Sequence, residues 1–204
     1  MTDDENRRRF ERLALPHLGA AYNLARWLTH NDHDAQDVVQ DAFVRALRYI
    51  GGFRGDNARA WVLQVVRNTC WTWLEHNRPA ELLAQREYGD DDAALHELAA
   101  PAADEPPAQA LRKAERALVN QTIAALPFFL REVLVLRELE ELSYNEIARI
   151  VGIPLGTVMS RLSRARARLR LALQPGERPL LTAVANPANN TTTNGPLAPR
   201  GAAQ

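Results

Sequence analysis

Apolar residues in the first part of the chain recur every three or four positions, the spacing of one face of an α-helix. This pattern predicts helices over residues 12–30, 34–49 and 58–76. Glycine, asparagine and proline residues follow the predicted ends, where they commonly stop helices. The alternation of apolar and polar residues that marks a half-buried strand is absent, so residues 1–80 are predicted to form a small helical domain.

The same spacing continues in a second region, where it predicts helices over 111–125 and from Pro127 onward. Ser143 is followed three positions later by Glu146, a capping box that opens a short helix. Gly152 ends that helix, and Thr157 is expected to cap a long final helix. A short helix, a turn containing glycine and a second helix form a helix-turn-helix.

Two stretches lack this pattern. Residues 81–110 are acidic, rich in alanine and end in prolines, and are predicted to be a flexible linker. Residues 175–204 contain five prolines and few periodic aliphatic residues, and are predicted to be a disordered tail. The sequence therefore predicts an all-α protein with two small helical domains, at 1–80 and 111–174. The C-terminal one is a helix-turn-helix.

Several functional classes are disfavoured by composition. Cys70 is the one cysteine among 204 residues, which excludes a disulfide framework and a cysteine-based zinc site. No apolar run reaches the length of a membrane span, and the charged start does not resemble a signal peptide, so a cytoplasmic protein is expected. Phosphate-binding loops, nucleophile elbows and dinucleotide fingerprints are absent. We predict no enzymatic activity, no cofactor, no metal and no small-molecule substrate.

Charge is unevenly distributed along the chain. Lys and Arg total 25 and Asp and Glu total 25, so the formal net charge is zero. Residues 81–110 nevertheless hold eight acids and one base, whereas residues 143–172 hold six arginines and one acid. The basic segment coincides with the helix-turn-helix, and it indicates a polyanionic partner.

The final helix carries the first candidate binding surface. Its apolar residues are spaced to dock on the domain, and its N-terminal polar residues are placed as a recognition helix places residues against base edges in the major groove. Arginines further along, including Arg168, can neutralise phosphates. A solvated arginine face on an ordinary helix is the alternative. The candidate duplex-reading residues are Thr157, Met159, Ser160, Arg161, Ser163 and Arg164.

The third predicted helix of the first domain carries a second candidate surface. Polar and aromatic side chains recur opposite its apolar stripe, and a polar loop, FRGDN at 53–57, precedes it. Arginine, asparagine and an aromatic ring beside a loop suit single-stranded DNA, because bases stack on rings while cations meet the backbone. Trp61 and Trp73 are expected in the core instead. The candidate residues are Arg54, Asn57, Arg67, Asn68 and Trp71.

The second predicted helix has an outward polar face with Asp37, Gln40 and Asp41. Carboxylates near a helix start interact favourably with the helix dipole, which is one explanation. A docking face for a basic or helical partner is the other, and the spacing alone does not decide between them.

Three segments together resemble bacterial RNA polymerase sigma factors of the extracytoplasmic-function (ECF) group. They are DAQDVVQDAFVRAL at 34–47, FRGDNARAWVLQVVRNTCWTWL at 53–74 and ALPFFLREVLVLRELEELSYNEIARIVGIPLGTVMSRLSRARARL at 125–169. The third segment is the most specific. The resemblance covers nearly all of 12–80 and 120–172, and leaves out the predicted linker and tail.

The resemblance implies that the first domain binds the β′ clamp of the core polymerase and melts the −10 element, with Gln40, Asp41 and Phe43 facing the clamp. Arg54, Asn57 and Asn68 would lie at the −10 element, where the loop captures an unstacked base.

For the second domain, the resemblance implies reading of the duplex −35 element and contact with the β flap. Met159 departs from the family, in which Lys or Arg is common at that position. Trp71 of the first domain departs too, because smaller or aliphatic residues are frequent there. Many relatives have an anti-sigma factor, which makes such a protein a candidate partner.

Two other functions remain open from the residues alone. A stand-alone helix-turn-helix regulator would bind duplex DNA without polymerase, but it leaves residues 34–78 without a role. The second of these functions is that of an adaptor whose arginines bind an acidic protein. Association with core polymerase separates these alternatives from a sigma factor.

Overall fold

The computed structural model describes residues 3–79, 82 and 107–173, with side chains described from residue 115 onward in the last range. Regular structure in these residues is entirely helical and forms two domains, which confirms the predicted fold class. The predicted tail at 175–204 and most of the predicted linker at 81–110 lie outside the described residues.

The N-terminal domain is a bundle in which three long helices pack on one another and a fourth, α1, lies on their surface. Its buried residues include Leu24, Leu28, Val38, Leu63 and Leu74. Short 3₁₀ turns separate α1 from α2 and follow α3. The helices are α1 (Asp3–Leu13), α2 (Leu18–Thr29), α3 (Asp32–Tyr49) and α4 (Ala58–Asn77).

The helix predicted over 12–30 begins only at Leu18, because a 3₁₀ turn, Leu15–His17, separates it from α1, which the sequence did not predict. Pro16 lies in that turn, and its lack of an N–H group disfavours an uninterrupted α-helix. Helix α3 begins two residues before the predicted start. The side chain of Asn31 caps it by accepting hydrogen bonds from the backbone N–H groups of His33 and Asp34, at 2.8 and 3.1 Å.

The C-terminal domain is built around a central helix that packs against the final one. Its core includes Phe128, Leu136, Ile147, Val158 and Leu162. A π-helical segment, Val135–Leu139, extends the central helix. The helices are α5 (Pro107–Ala124), α6 (Phe128–Leu134), α7 (Tyr144–Val151) and α8 (Leu155–Leu173).

Helices α7 and α8 form the predicted helix-turn-helix. The Ser143 hydroxyl accepts from the backbone N–H of Glu146 at 3.3 Å, and the Glu146 carboxylate accepts from the backbone N–H of Ser143 at 2.8 Å, which confirms the capping box. Gly152 ends α7 at φ +75°, a left-handed conformation that glycine adopts without strain. The prediction that Thr157 caps α8 is wrong. The helix already begins at Leu155, and the Thr157 N–H donates to the Pro154 carbonyl at 3.0 Å.

The two domains contact each other directly. Helix α4 packs against α7, and α2 packs against α6. Buried apolar residues of both domains belong to one continuous cluster. The contact therefore buries the facing sides of α4 and α6.

Removal of the cap at α7 is expected to destabilise the protein. Ser143→Ala removes an acceptor for a helix-terminal N–H, so the free energy of unfolding should fall by about 1 kcal/mol in urea denaturation. The Ser143 hydroxyl also hydrogen-bonds to the Glu146 carboxylate and is the main cause that lowers its pKa below 4.5. This contribution to stability is present above pH 4.5 and is lost as the pH falls through the lowered pKa.

Ser163→Ala is the matched control, because Ser163 is exposed on α8 and alanine is the better helix former there. It should leave stability unchanged or slightly raised. Equal losses in the two variants would contradict the role of the cap. An NMR titration should show the pKa of Glu146 rising only in Ser143→Ala.

Candidate nucleic-acid interface

Helix α8 presents the outer face that the sequence predicts. Val158, Leu162 and Ala165 are fully or almost fully buried and dock the helix on the domain, which confirms the predicted apolar stripe. Met159, Ser160 and Ser163 are exposed on the opposite side. The arrangement leaves this side of α8 accessible to a partner.

Arginines further along α8 are held near this face. Arg164 Nε lies 3.4 Å from the Ser160 carbonyl oxygen. Arg166 Nη2 lies 2.6 Å from a carboxylate oxygen of Glu138, and that hydrogen bond is the main cause that raises the pKa of Arg166 above its ordinary value. Arg168 is half-buried on the same helix, and Thr157 is half-buried at its start. The result is a positively charged helix at the surface.

Arg161 is the exception among the candidate duplex-reading residues. Its side chain is 13% exposed and faces the domain contact. Its Nη1 atom lies 3.5 Å from the Glu132 carboxylate, and its guanidinium lies 4.8 Å from the ring centre of Phe129. Arg161 therefore lies mostly inside the protein, and its replacement would remove a cation from the buried carboxylate of Glu132.

Two of the candidate DNA-binding residues on α4, Arg67 and Trp71, contact the second domain. Arg67 Nε lies 2.9 Å from the Glu132 carboxylate. The Trp71 ring contacts Phe128 and Phe129, with ring centres 5.5 and 5.6 Å apart, and Arg67 lies over Trp71 at 5.1 Å. The surface predicted to bind single-stranded DNA is thus partly covered by the second domain.

Glu132 is the centre of the domain contact. Its side chain is completely buried and pairs with Arg67 of the N-terminal domain and Arg161 of the C-terminal domain. Burial raises the pKa of this carboxyl, and the two guanidinium groups oppose that shift. The sequence analysis missed Glu132. A single acid within the apolar run LREVLVL was the available signal, because buried charges need partners.

Glu140 makes a second bridge that the sequence did not reveal. Its side chain is buried and accepts hydrogen bonds from Asn23 Nδ2 at 2.7 Å and Arg59 Nη2 at 2.5 Å. Arg59 also donates to the backbone carbonyl of Glu140 at 2.6 Å. Gln64 donates to the Arg149 carbonyl at 3.2 Å. Polar contacts thus extend along the whole length over which α4 faces the other domain.

The loop before α4 uses its polar residues to hold itself in place. Arg54 Nη1 donates to the carbonyl oxygens of Gly51 and Phe53, at 2.6 and 3.3 Å. The Asn57 side chain caps α4 by accepting from the Ala60 N–H at 2.9 Å, and it donates to Glu146 across the domain contact. Asn68 lies further along α4 and is exposed. Of the candidate residues for the −10 element, Asn57, Arg67 and Trp71 contact the second domain. Arg54 and Asn68 are exposed.

Helix α3 keeps its predicted polar face outside. Asp37, Gln40 and Asp41 are exposed, and Asp41 pairs with Arg45 at 2.8 Å. Phe43 is half-buried, because its ring meets the edge of Phe10 from α1 with ring centres 5.9 Å apart. The polar part of this surface is exposed to a partner, whereas part of the Phe43 side chain packs against α1.

Other candidate chemistry is limited in the described residues. Cys70 is completely buried, which raises the pKa of its thiol. The described ranges contain no group of three or more His, Cys, Asp or Glu arranged to hold a metal ion. None of the helices in those ranges is long and apolar enough to span a bilayer.

Comparison with protein families gives two matches in the order of the two domains. Residues 13–79 match sigma-70 region 2, and residues 116–169 match sigma-70 region 4. Helices α2, α3 and α4 lie in the first match, and the second match contains the helix-turn-helix except for the last four residues of α8.

Similar proteins extend over most of the chain. RNA polymerase sigma-H factor of Pseudomonas aeruginosa is 38% identical over 176 residues, which cover 83% of this chain and 89% of that protein. ECF RNA polymerase sigma-E factor of Escherichia coli K12 is 38% identical over 148 residues, which cover 70% of this chain and 75% of that protein.

Solved structures of similar fold include two complexes, each with a second protein. RpoE from Bartonella quintana, bound to the anti-sigma factor NepR, superposes with a TM-score of 0.59 at 25% identity, over 82% of this chain and 98% of that one. CnrH, bound to the cytosolic domain of CnrY, gives 0.55 at 27% identity, over 82% and 89%. With regions 2 and 4 present in order and relatives that span most of its length, the chain belongs to the ECF group of the sigma-70 family of RNA polymerase sigma factors.

Proposed function

We propose that this protein binds core RNA polymerase in the cytoplasm and directs it to specific promoters. The N-terminal domain binds the β′ clamp and opens the −10 element, and the C-terminal domain reads the −35 element and contacts the β flap. The observation that carries the proposal is the combination of an exposed recognition helix, α8, with a second helical domain matching region 2.

The −35 function is supported by the geometry of the helix-turn-helix. The capping box and Gly152 fix α7 and the turn, and α8 then presents Met159, Ser160 and Ser163 outward from a buried stripe. A recognition helix reads base edges with such N-terminal residues. Thr157, Arg161 and Arg164 complete the proposed reading set, and Arg168 is proposed to contact phosphates.

The −10 function is supported by the polar face of α4 and the loop at 53–57. Breaking duplex DNA costs about 1.4 kcal/mol per stacked step, whereas stacking one base on an aromatic side chain returns about 1–3 kcal/mol. One captured base therefore cannot sustain a bubble of several pairs. The polymerase must supply the remaining binding energy, so the free protein should leave a promoter closed. Arg54, Asn57, Arg67, Asn68 and Trp71 are the proposed residues for this step.

The polymerase-binding function is supported by α3. Asp37, Gln40 and Asp41 form an exposed acidic and amide surface on one helix. We propose that this surface, with Phe43 beside it, meets the clamp.

DNA binding by both domains requires the described contact between them to open. Arg67 and Trp71 contact the second domain, so these side chains cannot serve DNA and the contact at once. Arg161 would also have to leave Glu132, its partner within its own domain. The similar solved structure of RpoE is a complex with an anti-sigma factor, and we propose an anti-sigma factor as a partner that binds this protein too.

The proposed function predicts assembly with core polymerase. The purified chain should elute with core enzyme in gel filtration, and the complex should produce run-off transcripts from a subset of a promoter library. The chain alone should leave 2-aminopurine at the −10 position quenched, because it lacks the energy to open DNA. Promoter binding without any association with polymerase would support a stand-alone regulator instead, and an opened promoter without polymerase would contradict the energetic argument.

Two substitutions should separate opening from duplex reading. Asn68→Ala changes an exposed residue of α4 and should slow promoter opening by the holoenzyme while sparing −35 binding. Arg164→Ala should weaken −35 binding by about 1–3 kcal/mol if a base contact is lost. Footprinting measures binding, and 2-aminopurine fluorescence measures opening.

A template whose −10 bases are already unpaired is the control for this pair. It should restore transcription by the Asn68→Ala holoenzyme and leave the Arg164→Ala defect. Equal loss of binding and opening in both variants would overturn the division of roles. Arg161→Ala is the less specific probe, since it also strips a cation from buried Glu132.

The domain contact predicts that Glu132→Gln increases DNA binding by the free protein. Without the carboxylate, Arg67 and Arg161 face each other without a shared anion, so the contact weakens. Losing a hydrogen bond to a charged group costs about 1.5–3 kcal/mol, and apparent promoter affinity should rise about tenfold or more as the closed form is depopulated. Small-angle scattering should show a larger radius of gyration.

Glu138→Gln is the matched control, because Glu138 pairs with Arg166 inside the C-terminal domain and does not bridge the domains. It should leave the radius of gyration unchanged. Arg59→Ala, which breaks the bridge to Glu140, should act in the same direction as Glu132→Gln. If neither bridging variant expands the protein or strengthens DNA binding, the contact does not limit access to DNA.

A further inference from the structure

Helix α1 precedes the region 2 match except for its last residue, Leu13. None of its residues is buried, so the helix lies on the surface of the domain. An isolated helix of 11 residues is marginal in water and needs tertiary contacts to persist. Its described contacts with the rest of the domain include two adjacent side chains, Arg9 and Phe10.

Arg9 reaches the start of the loop at 53–57. Its Nη2 atom donates to the Phe53 carbonyl oxygen at 2.5 Å, in a partly buried position 44 residues away in sequence. The same carbonyl oxygen accepts from Arg54 Nη1 at 3.3 Å. The Phe53 ring also lies against Trp61 of α4, with ring centres 4.9 Å apart. The first residue of the loop is thus held through both its backbone and its ring.

The other end of the loop is held by α4 itself, because Asn57 caps that helix. Residues 54–56, between these two ends, are exposed. Fixing the ends of a loop reduces the conformational entropy that it must lose when it binds a ligand. A loop anchored in this way is prepared to receive a base.

We propose that Arg9 is a positioning residue for promoter opening, which it supports from outside region 2 by holding the Phe53 carbonyl and thereby the loop at 53–57. The inference rests on the proposed function of that loop. Arg9 itself does not contact DNA in this proposal. It acts through the backbone at the point where the loop begins.

Neighbouring arginines of α1 differ in what they contact. Arg7 pairs with Glu11 at 3.3 Å and Arg8 pairs with Asp4 at 2.7 Å, both within α1 and largely exposed. Arg12 is exposed. A substitution at Arg12 therefore changes the charge of the helix by the same amount as one at Arg9, without touching the hydrogen bond to Phe53.

The test compares Arg9→Ala with Arg12→Ala in the full-length chain. Hydrogen exchange of the free protein should be faster at the loop amides in Arg9→Ala and unchanged in Arg12→Ala. With core polymerase, Arg9→Ala should reduce the rate of promoter opening about tenfold, the size expected for one lost charge-assisted hydrogen bond. Arg9→Lys, which keeps one donor, should recover part of the protection and part of the rate.

Two further measurements test the proposal. Gel filtration should show Arg9→Ala binding core polymerase like the unmodified protein, and a template with an unpaired −10 element should remove most of its defect. Loss of polymerase binding in Arg9→Ala, or equal behaviour of the two alanine variants, would overturn the proposal. If the unmodified protein itself failed to open any promoter, the proposed function would fail, whereas the exchange experiment would still report whether Arg9 holds the loop.

Discussion

The arrangement of the two domains depends on one buried carboxylate. Glu132 is fully removed from solvent, and a buried charge is costly unless ionic partners and hydrogen bonds surround it. Arg67 from one domain and Arg161 from the other supply those partners. Neither domain alone provides both guanidinium groups, so the most favourable environment for this acid exists only when the domains meet.

This dependence connects folding to function through competition for the same side chains. A DNA phosphate or base edge offers an arginine the kind of acceptor that Glu132 offers inside the contact. The face of α4 carries a candidate DNA surface and also the contact with the second domain. Under the proposed function, polymerase and promoter must provide more favourable interactions than the domain contact that they would replace.

The loop at 53–57 and helix α1 are held by contacts within the N-terminal domain. The exposed loop at 53–57 is fixed by Asn57 at one end and by Phe53 at the other, where the backbone carbonyl meets Arg9. Phe43, which the resemblance implies for polymerase binding, also packs against Phe10 of α1. Helix α1 therefore contacts both a candidate polymerase-binding residue and the candidate −10 loop.

The helical periodicity, the capping box at Ser143 and Glu146, the break at Gly152 and the buried stripe of α8 were readable from the sequence, because each depends on residues within a few positions of one another. The family followed from motifs of the same local kind. The pairings of Glu132 and Glu140, the inward placement of Arg161 and the reach of Arg9 to Phe53 depend on residues 29 to 117 positions apart. Such contacts are set by how helices pack in space, and only the tertiary structure decided them.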